Sequence, residues 1–225
     1  MPMRFSILSL AVLGFGLSSA PAWGGAVLFS DLGAGSSVYA AGGSAIVGSG
    51  NANFPGTEQG LAMPFTVAGV GGELVSQIDL AVSNESGTSS FIASIWTDIG
   101  GAIGSQISGA FWALATSVSF PNCCGLVTAP VSGVSLMGGQ EYFMVLTPVS
   151  YSDDSWNVWD SNTQGVTGPF LYTLDGNNWM VVNPDPYTLG AFDVLGDPVP
   201  EPTSIFLSAT GLAALLALRR RKANL

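Results

Sequence analysis

The sequence predicts an all-β protein, a β-sandwich of jelly-roll form, and three observations carry that expectation. Between residues 61 and 195 apolar and polar side chains alternate in short runs, the runs recur at a spacing of about ten residues, and turn-forming residues separate them. Glycine alone supplies 30 of the 225 residues. No interior segment keeps the 3.6-residue period of an amphipathic helix, and no internal repeat points to a solenoid or propeller.

The elements follow in order. Residues 23–60 form a leader with ten glycines between positions 24 and 60 and few large apolar groups. Short strands such as 26–29 fit there, with irregular backbone over much of the rest. Residues 61–197 are the sandwich domain. In 77–83, Ile78, Leu80 and Val82 fall on one face and Gln77, Asp79, Ala81 and Ser83 on the other, the pattern of a half-buried strand. Residues 91–97, 110–118, 125–131, 141–149, 155–160 and 168–174 are similar runs, and 188–195 is a last strand. Asp175-Gly176 between Tyr172 and Trp179 predicts a hairpin, since Asp-Gly accepts the positive φ that tight turns need.

The two ends read as addresses. Arg4, a 13-residue apolar stretch over 5–17 and the small residues Ala20 and Ala22 around Pro21 make 1–22 a signal peptide, cut by signal peptidase after Ala22. Residues 198–225 hold the proline-flanked acid Pro200-Glu201-Pro202, an uncharged run over 203–218, and the cluster Arg219, Arg220, Arg221 and Lys222. As a transmembrane helix the run reaches ~24 Å, short of a ~30 Å hydrocarbon core, so it spans with local thinning or snorkelling of its basic flank. That flank orients the tail with its basic end in the cytoplasm.

Charge removes whole classes of function. The chain has 15 Asp and Glu, five Lys and Arg, and no His; all five cations lie in the two addresses, at Arg4 and 219–222. Imidazole catalysis, Schiff-base chemistry and side-chain phosphate clamps are therefore absent from the body. Nucleic acid is excluded as a partner, because its affinity comes from Lys and Arg on phosphates. With charged residues at only 9%, surface polarity must come from Ser, Thr, Asn and Gln, a composition suited to an exported β protein.

The tripartite end, Pro200-Glu201-Pro202 followed by an apolar run and an arginine cluster, resembles the PEP-CTERM sorting signal of exopolysaccharide-producing Gram-negative bacteria. That resemblance implies transient anchoring in the inner membrane, an exosortase-type transpeptidase as partner, cleavage near 200–202, and delivery to the cell surface or extracellular matrix. The body, through F-T-V at 65–67, I-D-L-A-V-S at 78–83, F-I-A-S-I-W-T-D at 91–98, G-G-Q-E-Y-F-M-V-L at 138–146 and L-Y-T-L-D-G-N-N-W at 171–179, resembles choice-of-anchor R domains. Such domains imply an exported surface module without assigned enzyme activity, and no catalytic residue is carried over.

Candidate ligand contacts concentrate in 151–162. Asp153, Asp154 and Asp160, with Asn157 and Asn162, are hard oxygen donors suited to Ca²⁺, although Asp and Asn also simply favour turns and the spacing matches no EF-hand. Trp156, Trp159 and Trp179, with Tyr151 and Tyr172, offer rings for stacking on sugars of an extracellular polysaccharide. Trp156 and Trp159 are three apart and so face opposite sides of a strand, which sends at least one to the core. The acids fall singly in predicted turns, as solvated charge does, and no pair marks a glycosidase. Cys123-Cys124 in a turn allows a vicinal disulfide or two free thiols, and with no His a zinc site is not expected. The expectation is an exported non-enzymatic protein without a required cofactor. A Ca²⁺-assisted carbohydrate-binding module is the alternative, and a glycoside hydrolase the remote one.

Overall fold

A computed structural model of the chain describes residues 26–33, 39–182 and 187–197. The signal peptide with Ala20 and Ala22, and the sorting tail with Pro200, Glu201, Pro202 and Arg219, Arg220, Arg221 and Lys222, lie outside the described residues. Within them, alternation becomes strands and there is no helix. The chain begins with β1 (Ala26–Ser30), β2 (Tyr39–Val47), β3 (Gly60–Thr66), β4 (Gly72–Leu80), β5 (Val82–Ser86), β6 (Ser90–Asp98) and β7 (Ile103–Ala115). It continues with β8 (Val127–Met137), β9 (Glu141–Pro148), β10 (Trp156–Asn162), β11 (Thr167–Gly168), β12 (Leu171–Thr173), β13 (Trp179–Val181), β14 (Tyr187–Thr188) and β15 (Phe192–Gly196). In β8, Val127, Ala129 and Val131 are buried at every second position. The phase then slips at Gly133, whose φ of 73° lets the strand bulge before Val134 and Leu136 return to the core.

Two antiparallel layers face one another. One is a four-stranded sheet, β1-β15-β4-β8, continued by a three-stranded sheet, β2-β10-β5; the other is six-stranded, β13-β12-β3-β9-β6-β7. Along the chain β1, β4, β8 and β15 alternate with β3, β6–β7 and β9 across the layers. The two sheets of the first layer are joined at Ala81, between β4 and β5. Ala81 N donates to Ala191 O at 3.0 Å, Asp160 N to Ala81 O at 2.9 Å, and Ala191 N to Asp160 O at 2.7 Å. Small side chains at Ala81 and Ala191, both fully buried, permit three backbones to meet there.

The core lies between the layers, with Ile46, Ile78, Leu80, Val82, Trp159, Phe192 and Val194 against Leu61, Met63, Phe65, Phe91, Ile95, Tyr142 and Met144. Phe65 meets Phe192 edge-on at 5.6 Å across the layers, and within the first layer Trp159 lies 5.6 Å from Phe192. Each interleaved strand buries one face, so hydrophobic burial and ladder hydrogen bonds stabilise the fold. No salt bridge exists among the described residues, as expected for a body without Lys, Arg or His.

Two sequence expectations need correction. The 23–60 leader is not mainly irregular: β1 pairs with β15, β2 pairs with β10 over seven positions, and both belong to the sandwich, whose start therefore lies before residue 61. Its poverty in large side chains reflects close backbone approach, since a Cβ on Gly43 would sit 1.9 Å from the Trp159 carbonyl oxygen. Nor are the acids all solvated: Asp31, Asp79, Asp160 and Asp193 are buried, and the last three sit within strands. The expected 172–179 hairpin is present: Thr173 pairs with Trp179 around a five-residue loop, 174–178, where Gly176 has a φ of 77° and the Asp175 carboxylate accepts the N–H groups of Asn177 and Asn178, both at 2.8 Å. Cys123 and Cys124 form a disulfide with each other.

The buried acids make stability depend on pH. Desolvation by burial is the main cause that raises the Asp31 carboxyl from 3.8 to about 7, against a hydrogen bond from Phe192 and with the Asp193 charge adding to the rise. Burial likewise raises Asp160 against a hydrogen bond from Gly42. A carboxyl whose folded pKa exceeds its unfolded pKa stabilises the fold below the unfolded value and loses that contribution as pH rises through the folded one. In a chelator, the melting temperature is therefore expected to fall between about pH 4 and pH 7, and a melting profile that rises across that window would contradict the assignment.

Candidate functional site

Three connections meet at one end of the sandwich: 48–57 after β2, 87–89 between β5 and β6, and 149–155 between β9 and β10. Two clefts open there. The larger, of about 520 Å³, is lined by Thr88, Ser90, Ala113, Leu114, Ala115, Val149, Ser150 and Asp153. The smaller, of about 310 Å³, is lined by Gly50, Asn51, Ala52, Asn53, Ser86, Gly87 and Asp154. Asp153 and Asp154 thus stand at the boundary, one facing each cleft.

Local hydrogen bonds shape both. Asp153 Oδ1 accepts from Ser155 N at 3.0 Å and Ser155 Oγ at 2.5 Å, and its Oδ2 accepts from Ser150 N at 3.3 Å, which closes the 150–155 turn. Asp154 Oδ1 accepts from Thr88 Oγ1 at 2.5 Å and Thr88 N at 3.1 Å, and the Thr88 side chain is the main cause that holds this exposed carboxyl below its usual range. It is ionised at neutral pH. Asn51 fastens the loops together: its amide nitrogen donates to Asp154 O at 2.7 Å and Ser86 Oγ at 3.0 Å, while its oxygen accepts Asn53 N at 2.9 Å. Beside the polar cleft, Phe54 meets Trp156 edge-on with ring centroids 4.5 Å apart, and Phe54 remains 38% exposed.

Gly87 permits this arrangement. Its φ is 69°, and a Cβ there would fall 1.9 Å from the Asp154 carbonyl oxygen. Gly87→Ala is therefore expected to push the 149–155 loop away and cost about 1–3 kcal/mol by overpacking and left-handed strain. Denaturant unfolding measures it, and a change below about 0.5 kcal/mol, the range of neutral surface substitutions, would show that the two loops move independently.

The sequence-predicted aromatic residues separate. Trp159 is wholly buried in the core, where its Nε1 donates to Ala191 O at 3.2 Å, so it has no surface for a ligand. Trp156 faces the other way, half-buried beside Phe54. Trp179 lies on the outer face of the six-stranded sheet, packed with Trp96 and Ile103 against Ala62, Phe143, Val145 and Leu171. Tyr172 packs against the main core, and the Tyr151 hydroxyl is buried, its pKa pushed up to about 12 chiefly by desolvation.

The predicted oxygen donors do not form one centre. Asp160 sits inside β10 opposite Gly43, its Oδ1 accepting Gly42 N at 2.9 Å, whereas Asp153 and Asp154 lie in the loop before that strand. Asn157 is buried and donates to Ser90 O, and Asn162 donates to Val166 O and Leu189 O. No group of three or more acidic or cysteine side chains placed to hold a metal occurs among the described residues. Asn51, Asn53, Phe54, Ser86 and Thr88 were missed by sequence reasoning. For Asn51, Asn53 and Phe54 the polar-aromatic run N-A-N-F-P-G at 51–56 was the visible signal, inside a segment read as leader.

Fold and site together define a β-sandwich protein with a two-part cleft built from loops at one end. Residues 198–222 match the family described as the PEP-CTERM protein-sorting motif. No curated protein matches the chain. The motif points to an exported, extracellular protein that an exosortase sorts after transient anchoring in the membrane.

Proposed function

We propose that the chain is a non-enzymatic protein of the cell surface or extracellular matrix of an exopolysaccharide-producing bacterium, with the β-sandwich as its working part. The observation that carries this is the sorting motif at 198–222 behind a body whose Lys and Arg are confined to the two terminal addresses. The likeness of 61–195 to choice-of-anchor R domains supports it. So does the chemistry of the clefts: each is lined by a single carboxylate, Asp153 or Asp154, whereas glycoside hydrolysis takes a pair flanking the bond. Asp154, held ionised by Thr88, is unsuited to act as a general acid. Intact mass of the extracellular form tests the reading. A chain that starts near residue 23 and ends near residue 200 agrees with it, and one that retains 203–222 outside the cell refutes it.

Saccharide binding is the second reading, favoured by the Phe54–Trp156 wall beside a cleft lined by Asn51, Asn53, Ser86 and Asp154. Sugar hydroxyls need paired donors and acceptors next to an apolar ring face, and these residues supply both. Calorimetric titration with host exopolysaccharide should give heat that Phe54→Ala and Asp154→Ala each reduce. Absence of heat from the unsubstituted protein removes this reading and leaves the first intact.

A further inference from the structure

The longest open strand edge of the sandwich belongs to β7, the last strand of the six-stranded sheet. Among the described residues the backbone of 103–115 pairs with no strand but β6, which leaves the outward N–H and C=O groups of its other side without a ladder. The other edges of the two layers are shorter or blunted. β13 has three residues, β8 carries Pro130 and the bulge at Gly133, and Leu28 O of β1 accepts Ala68 N at 2.6 Å. Ala45 O of β2 accepts Gln59 Nε2 at 2.8 Å, and Asn84 of β5 is bonded to Val118 O and Phe120 N. In β7 the strand kinks at Gly109, whose φ is 79°, and from there 111–115 pair without a break opposite 94–90 of β6.

Charge and shape both single out this edge. No charged side chain lies between Asp98 and Glu141, a stretch that takes in all of β7 and β8, whereas every formal charge on the rest of the body is negative. Two such bodies repel wherever their acids face, and they meet at least cost along the acid-free side; a cationic partner would be drawn to the acids instead. Ala110 is buried and Trp112 and Leu114 pack against the core, so Phe111, Ala113 and Ala115 stand on the outer face of the sheet, all exposed, Phe111 at 54%. Beside Ala113 and Ala115 that face sinks into the cleft of about 520 Å³, where Leu114, Val149 and Ser90 complete a largely apolar wall. The acid on its rim, Asp153, already accepts from Ser150 and Ser155.

We propose that the β7 edge joins two copies of this chain, antiparallel and related by a two-fold axis, into one continuous sheet. Ladder hydrogen bonds supply the contact without any ion pair, which a body lacking Lys, Arg and His needs of an interface. An antiparallel pair of identical edges is self-complementary, so the assembly closes at two chains. The cleft sets the register. With the axis at Ala113, Phe111 of each copy stands directly opposite Ala115 of the other and on the same outer face, where its ring enters the cleft beside Val149 and Ser90. The residue that one chain leaves exposed thus fills the hollow of its neighbour, whereas a register with Phe111 opposite itself leaves both hollows empty. The smaller cleft, lined by Asn51, Asn53 and Asp154, takes no part.

The test is sedimentation of the purified full chain in mild detergent, which keeps the apolar run over 203–218 from associating chains by itself. The expected protein mass is twice that of one chain, and added NaCl should shift the equilibrium further toward the pair by screening the repulsion between acids. Phe111→Asp, at an exposed position, should halve the mass while leaving the melting temperature of the dilute protein unchanged. Ala113→Cys tests the register: directly opposed residues of an antiparallel pair have Cα atoms about 4.5–5.5 Å apart, within disulfide reach, so mild oxidation should give a covalent pair that dithiol reverses. Ser108→Cys, which has no counterpart across the axis, should give none. A single-chain mass for the unsubstituted protein overturns the proposal, as does a mass that stays doubled in Phe111→Asp. Cross-linking of Ser108→Cys equal to that of Ala113→Cys overturns the register. A single chain whose calorimetric heat with exopolysaccharide is lost in Ala115→Trp gives the cleft to a sugar and also overturns the proposal.

Discussion

Trp159→Ala is expected to lower the free energy of unfolding by about 3–5 kcal/mol, the range for removing a large aromatic side chain from a packed core. Several contacts disappear together. The indole is fully buried, lies 5.6 Å from the Phe192 ring, and donates from Nε1 to Ala191 O, beside the junction where β4, β10 and β15 meet. Collapse around the gap is limited because glycines already bring backbone against this residue: a Cβ on Gly190 would sit 2.6 Å from the indole ring. No ion pair among the described residues is available to offset the loss. For a domain of this size the melting temperature should fall by roughly 6–20 °C. Trp159→Phe, which keeps most of the volume but not the hydrogen bond, should fall by less. Calorimetry measures both, and a Trp159→Ala loss below about 1 kcal/mol would mean that the indole is not enclosed as described.

Glu201→Ala is expected to hold the uncleaved precursor in the inner membrane. Pro200 and Pro202 lack backbone N–H groups, and proline disfavours helix at and before its position, so the sequence around Glu201 carries no helix-forming signal of its own. Glu201 is the only charged side chain between Asp197 and Arg219. It is therefore the one group there that can direct a transpeptidase by charge. Fractionation followed by intact mass should find the variant in the membrane fraction with 203–222 retained, and the unsubstituted protein released without them. Normal release of the variant would refute the role assigned to Glu201 while leaving the β-sandwich assignment untouched.

The sequence by itself determined the class of the fold and the address. A period of two, punctuated by turn residues, is a local property of each run, so strands in 61–195 are visible without knowing their partners. Sorting signals are read as linear segments by other proteins, which is why 198–222 is recognisable as a string. The three-residue spacing also sent Trp156 and Trp159 to opposite faces, since pleat geometry is local.

Tertiary structure decided the rest. β1 and β2 look like leader because their stability comes from pairing with β15 and β10, more than a hundred residues away, and glycine at such contacts is a requirement of close approach. The cleft combines Asn51, Gly87 and Asp154 from three separate connections, and no linear motif encodes that convergence. Asp31 and Asp193 read as isolated surface acids until the first strand is laid beside the last. Burial and charge proximity are properties of the packed chain; the sequence determines which groups exist, and only the fold decides which of them must find a partner out of water.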